Sequence, residues 1–142
     1  MHLRVLAVGK LKDPHLTALC DEYVKRSRTM CPIERVACRS AKEQQQRAGE
    51  GQAPVVLLDE RGSQLTTLEL AQWIGDWRDR GRARVDFLIG DADGFDDEAR
   101  TRADRLLGLS RLTLPHRLAQ LLLCEQLYRA GTVLAGHPYH HA

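Results

Sequence analysis

The run Val85-Asp86-Phe87-Leu88-Ile89, followed by Gly90-Asp91-Ala92-Asp93-Gly94 and then Asp96-Asp97-Glu98, sets the class of this protein. Its first five residues are short, apolar and glycine-bounded, which predicts a buried strand. The paired glycines let the chain turn sharply. The three acidic residues put negative charge where a helix macrodipole favours it, at a helix start. A strand, a tight turn and a helix in that order are one step of an α/β fold.

Working upstream, Pro54–Leu58 reads as another strand that enters the polar turn Asp59-Glu60-Arg61-Gly62. Thr66-Thr67-Leu68-Glu69 is a capping box, and Leu70, Trp73, Ile74 and Trp77 form the buried stripe of the helix it opens. Four arginines between Arg78 and Arg84 surround Gly81 and read as an exposed helix end and turn. Leu3–Val8 is a strand ending at Gly9, and Ile33–Val36 is a second. Between them Asp13-Pro14 caps a helix whose Leu16, Leu19, Cys20 and Tyr23 share one face. Ala41–Glu50 is polar, a solvated helix or loop.

Working downstream, Leu109–Leu114 is predicted as the fifth strand, closed by Pro115. Arg117–Thr132 is predicted as a helix with Leu118, Leu121, Leu122, Leu123, Cys124, Leu127 and Tyr128 wrapping much of its circumference. Such a helix must be covered on several sides, which in so small a protein implies a subunit partner. Strands alternating with helices predict an α/β domain around a mainly parallel sheet, spanning 1–142 as one unit.

The chain has 142 residues, the size of one ordinary domain. Its 21 Lys and Arg against 19 Asp and Glu exclude a polybasic coat but leave room for a local basic patch facing RNA. Aromatic residues are only 5%, which argues against a base-stacking platform. No apolar run approaches the roughly 20 residues of a membrane span. The opening residues lack the charged and long apolar regions of a signal peptide. Cys20, Cys31, Cys38 and Cys124 include no Cys-x-x-Cys pair, so neither a metal site nor a disulfide framework is expected. These features predict a reduced, cytoplasmic protein.

Ligands of open α/β sheets bind beyond the carboxyl ends of strands, where Leu58-Asp59, Gly90–Gly94 and Leu112–His116 stand. Gly90–Gly94 is neither a Walker loop nor a dinucleotide fingerprint, and Asp91 and Asp93 would repel a pyrophosphate. It suits a cationic or neutral ligand, or it is a plain turn with solvated carboxylates. His137-Pro138-Tyr139-His140-His141-Ala142 gathers three imidazoles and a phenol, either proton-transfer groups or a frayed terminus. Pro138 breaks the helical presentation that a zinc set there would need. Arg100, Arg102, Arg105, Arg111, Arg117 and Arg129 form a solvated face, or hold RNA phosphates if they converge near the tail.

Leu112-Thr113-Leu114-Pro115-His116, then Cys124-Glu125-Gln126-Leu127-Tyr128-Arg129-Ala130, then His137-Pro138-Tyr139-His140, resemble the ribosomal RNA large subunit methyltransferase H family. Leu6–Lys10, Leu58-Asp59 and Phe87–Gly90 agree with it, so the resemblance spans nearly the whole chain. It implies a SPOUT-type fold with a C-terminal trefoil knot, a homodimer, and no metal. It implies methyl transfer from S-adenosyl-L-methionine to ring nitrogen N3 of a pseudouridine in large-subunit (23S) ribosomal RNA of the assembled ribosome. Carried across, Leu58 and Asp59 form one wall of the cofactor pocket. Gly90 and Asp91 form a second, and Ser110, Arg111, Leu112, Thr113, Leu114 and Pro115 a third. Tyr139 and His140 orient the base and receive its proton, with His141 a weaker third, and the tail reaches a pocket, that of the partner subunit. Arg129 places the tail or the RNA. Asp91 stands where the family carries a second glycine, and His141 where it carries a basic residue. Two other readings are a ribosome-binding homologue that no longer holds the cofactor and a SPOUT enzyme for another RNA.

Overall fold

A computed structural model describes residues 1–141. The elements in chain order are β1 (His2–Val8), α1 (Pro14–Ser27), β2 (Ile33–Cys38), α2 (Ala41–Arg47), a 3-10 turn (Glu50–Gln52) and β3 (Val55–Ser63). They continue with α3 (Thr67–Asp79), β4 (Arg84–Ile89), α4 (Asp97–Arg102), β5 (Arg105–Leu107) and α5 (His116–Ala135). The caps read from the sequence are present. Asp13 accepts from the backbone N–H of His15 and Leu16, and Thr66 and Glu69 close a reciprocal capping box. Asp96 accepts from the N–H of Ala99.

The five strands form one parallel sheet in the order β2-β1-β4-β3-β5. Successive side chains along a strand point to opposite faces, and the apolar residues sort accordingly. Leu3, Val5, Ala7, Val56, Val85, Phe87 and Ile89 face α1, α3 and α5, whose Leu70, Ile74, Leu123 and Leu127 complete that layer. Leu6, Leu57 and Leu88 face the other way, against Phe95 and Ala99. One charged pair interrupts the second layer. Arg4 and Asp86 are register partners, both buried, and Arg4 donates to the carboxylate at 3.0 Å. Arg84 and the N–H of Gly49 also donate to Asp86, which ties the 47–52 segment beneath the sheet.

The first, second and fourth strands extend one or two residues beyond the sequence reading, and the fifth and third differ more. The fifth strand is not Leu109–Leu114 but Arg105–Leu107, and 109–114 is irregular. The alternating leucines suggested a strand. At the sheet margin, however, they have no neighbour beyond them to pair with, and Pro115 caps α5 immediately after. The third strand, expected to end at Leu58, runs on to Ser63. Leu58 and Ser63 both pair with Leu107, so Asp59–Gly62 is a bulge within the strand rather than a turn that ends it. Gly62 lies so close to β5 that a Cβ there would come within 2.5 Å of the Leu107 carbonyl carbon.

The four cysteines are buried and unbridged. Among the described residues no helix is long and apolar enough to cross a membrane.

Candidate methyl-donor site

All five strands reach one level at the same edge of the sheet, which β3 passes through its bulge. Ala37, Ala7, Ile89, Leu58 and Leu107 are register partners in one row across the carboxyl edge of the sheet. The segments that follow them therefore share one rim, where open α/β sheets bind ligands.

On the β3–β5 side of that rim is a recess of about 620 Å³. Its walls are Leu58 and Asp59 from β3, Leu107 from β5, the irregular Leu109–Leu114, and Ala119 from α5, with Glu60, Arg61 and Gln64 at the bulge. Seven of the expected cofactor residues thus meet in one place: Leu58, Asp59, Ser110, Arg111, Leu112, Thr113 and Leu114. Leu112 is 77% exposed and forms the lip. Ser110 Oγ accepts from the N–H of Leu112 at 2.9 Å and shapes the turn behind it. The Asp59 carboxylate is spoken for. One oxygen accepts from the Arg61 N–H at 2.8 Å and the other from Arg100 Nε at 2.8 Å. Its work is to hold the wall to α4 rather than to neutralise a ligand.

Gly90, Asp91 and Pro115 do not line the recess. Gly90 follows Ile89, the register partner of Leu58, so it stands at the neighbouring strand end. A Cβ on it would press on Gly94 Cα at 3.2 Å. Asp91 turns its carboxylate onto its own loop, accepting from the Asp93 N–H at 3.0 Å. Its φ is negative, since among the described residues Gln52 is the single non-glycine residue at positive φ, so the backbone makes no demand for glycine at 91. Pro115 is the N-cap of α5.

The tail is seated on α5, not frayed. Tyr139 Oη donates to Glu125 Oε1 at 3.1 Å, and its ring stacks edge-on against Tyr128 with centroids 4.8 Å apart. Arg129 lies over that ring at 4.6 Å and donates to Glu125 through Nε at 2.8 Å. Burial first, and then the adjacent Glu125 carboxylate, push the Tyr139 phenol up to about 12. Arg129 also approaches His140 Nδ1 at 3.4 Å. Guanidinium only donates, so the neutral His140 ring in this arrangement carries its proton on Nε2. His141 is exposed.

Tail and recess do not meet within one protomer. Ala119 borders the recess, and Glu125 is six residues on, roughly 9 Å further along the helix and two-thirds of a turn around it. The six arginines do not converge either. Arg129 joins the tail, Arg111 the recess and Arg117 a separate cleft, while Arg100 pairs with Asp59, Arg102 is exposed at the end of α4 and Arg105 covers Trp73.

The participation of Glu125 was missed in the sequence reading. Its position four residues before Arg129, on the same helix face, was the available signal.

A family model described as "Predicted SPOUT methyltransferase" matches residues 1–140. A protein of Geobacter metallireducens named ribosomal RNA large subunit methyltransferase H is 43% identical over the full length of both chains. One of the same name from Dechloromonas aromatica is 44% identical over 99% of this chain and 98% of its own. Among solved structures, a probable methylase family protein from Haemophilus influenzae superposes with a TM-score of 0.57 at 11% identity, covering 99% of this chain and 70% of that one. The SpoU methyltransferase AviRb of Streptomyces viridochromogenes, solved with AdoMet, superposes at 0.51 and 15% identity over 90% of this chain and 57% of its own. Those two likenesses support the fold. The full-length sequence matches establish that this chain belongs to the SPOUT methyltransferase family, alongside the ribosomal RNA large subunit methyltransferase H proteins.

Proposed function

We propose that this protein transfers a methyl group from S-adenosyl-L-methionine to ring nitrogen N3 of a pseudouridine in 23S ribosomal RNA of the assembled ribosome, acting as a homodimer. The observation that carries this reading is the recess where Leu58-Asp59 and Ser110–Leu114 meet beside the Gly90 turn. Its volume falls in the range of small-molecule sites. Leucines 58, 107, 109 and 114 offer apolar faces for an adenine ring, and the irregular 109–114 backbone can read the ring's edge. The bound donor supplies a methyl group already activated by its positive sulfur, so positioning carries much of the rate.

The target nitrogen has to lose a proton. Tyr139 keeps its own proton at neutral pH, so once its O–H turns from Glu125 to the base it orients that base by donating a hydrogen bond. His140 receives the proton through Nδ1, which requires that Arg129 let go of that atom. His141, next in the chain and exposed, is the weaker second candidate. Arg129 holds Tyr139 until then and can meet an RNA phosphate afterwards.

The separation of tail and recess within one protomer supports a site shared between two subunits. Leu118 and Leu122 on the outer face of α5 are each 42% exposed and supply an apolar surface for the partner. A C-terminal chain threaded as a trefoil knot, and a cytoplasmic location beside the ribosome, complete the proposal.

Calorimetry with S-adenosyl-L-methionine, and mass spectrometry of 23S rRNA from ribosomes incubated with the protein and donor, test the reading together. Donor binding with one new methyl group on pseudouridine N3 is expected. No binding at millimolar donor would leave a ribosome-binding homologue without catalysis. Binding without that product would point to another RNA.

A further inference from the structure

A second recess opens on the same rim, on the β1–β2 side of Gly90. It has two adjoining parts, of about 110 and 240 Å³. They share Ala7, Gly9, Lys10, Leu11 and Gln120 as walls, with Gly90, His116 and Arg117 on one side and Arg35 on the other. The cationic side chains around it are Lys10, Arg35 and Arg117. Asp21 partners Arg35 at 3.0 Å. Lys10 and Arg117 are exposed and form no ion pair among the described residues.

Gln120 makes this more than a charged surface. It is only 8% exposed, and its Oε1 accepts from both Nε and Nη2 of Arg35, at 3.2 and 2.9 Å. Two donors fix which end of the amide faces Arg35, so Nε2 points the other way. That Nε2 donates to no group among the described residues, and the side chain lines both parts of the cleft. Among the described residues no buried side-chain nitrogen or oxygen lacks a partner, so this Nε2 is reached by solvent and is free to donate to an acceptor that enters the cleft. The first turn of α5 adds to it, since Pro115 provides no side-chain cap for the leading N–H groups of this 20-residue helix. The charged side chains that line the space, Lys10, Arg35 and Arg117, are all cations.

We infer that this cleft, between Gly9–Leu11 and His116–Gln120, binds a backbone phosphate of the RNA substrate and so holds the target nucleotide beside the methyl-donor recess. The inference rests on the reading of the protein as an enzyme of ribosomal RNA. A phosphodiester presents anionic acceptor oxygens and no donor, which matches this lining. The donor's carboxylate is the one other anion that could reach the cleft, across Gly90.

Lys10→Ala, Arg117→Ala and the double variant, compared with Lys42→Ala on exposed α2, separate these cases. Sedimentation with ribosomes at several salt concentrations is the readout, with calorimetry of S-adenosyl-L-methionine alongside. Each cleft substitution is expected to weaken ribosome binding about tenfold at low salt and to lower the slope of log affinity against log salt by about one, the double by about two, with Lys42→Ala at wild-type values. Donor affinity is expected to stay unchanged. Wild-type ribosome binding and salt slope in the double variant would overturn the inference. So would a loss of donor affinity with ribosome binding intact, which would give the cleft to the donor's carboxylate. A wild-type protein that fails to methylate, while the cleft variants still lose ribosome binding, would overturn the proposed reaction and leave the phosphate site standing.

Discussion

Tyr139 is held by a carboxylate, a guanidinium and another phenol, and this fixes what it can do. With a phenol pushed up to about 12, it donates at every pH in which the protein works. Tyr139→Phe removes one oriented donor, so methyl transfer is expected to slow by about 10- to 100-fold with donor affinity unchanged. His140→Ala removes the proton acceptor and is expected to cost about 10²- to 10⁴-fold in kcat. Equal loss of donor binding in either variant would make the tail a structural strap. The raised Tyr139 pKa also gives a stability signature. The native state holds this proton more tightly than the unfolded chain does, so the stabilisation is complete below pH 10 and disappears as pH rises from about 10 to 12. Urea unfolding should show wild type losing stability relative to Tyr139→Phe across that window.

At the same scale, Asp86 is deeply buried, and burial alone would raise its pKa. Hydrogen bonds from Arg84, Arg4 and the Gly49 N–H outweigh that and hold the carboxyl below its ordinary value. The stability this supplies is present above pH about 4 and is lost as pH falls below it. Asp86→Ala strands the Arg4 guanidinium and is expected to cost about 3–5 kcal/mol in urea unfolding, as removal of one partner of a buried pair does.

Among the elements, β3 and β5 carry the recess, and their closeness depends on Gly62. Gly62→Ala forces a Cβ against the backbone of Leu106–Gly108. It is expected to destabilise by about 3 kcal/mol and to weaken donor binding at least tenfold, because Asp59 and Leu107 flank the same gap. Gly81→Ala, in open space at φ +81°, is expected to cost about 1 kcal/mol and leave donor binding alone. Strand identities and helix caps were readable from local signals, since Asp13-Pro14 and Thr66–Glu69 act within one helical turn. The β3 bulge and the irregular 109–114 were not. Both depend on β5 lying at the sheet margin against β3, a contact between residues more than 40 positions apart that no local periodicity carries. For the site, Leu58, Asp59 and Ser110–Leu114, which the resemblance grouped, line one recess. The resemblance did not reveal that Asp59 is bound to Arg100, or that Gly90 faces a different hollow.

Across the molecule, α5 begins at the recess and seats the tail further along on another flank. On the proposed reading, a reaction using both needs two subunits. Mixing Leu114→Asp protein, with a spoiled recess, and His140→Ala protein, with a spoiled tail, should restore activity that neither has alone. Random pairing makes half the dimers mixed, each with one intact site, so about a quarter of wild-type activity is expected. No recovery would place recess and tail in the same chain. Leu118→Glu with Leu122→Glu should shift the sedimentation of the protein from dimer to monomer.

The strand order carries a further consequence for how the protein is made. β1 is translated first but lies between β2 and β4, and its pairing with β4 joins residues about 80 apart. At roughly 5–20 residues per second of synthesis, the Leu3–Val8 edge waits about 4–16 s for Val85–Ile89 to emerge. Nothing in an all-parallel sheet shortens that delay, since no hairpin closes early. The nascent chain therefore displays a bare apolar strand for seconds, and its yield in the cell should depend on chaperone supply more than its modest length suggests.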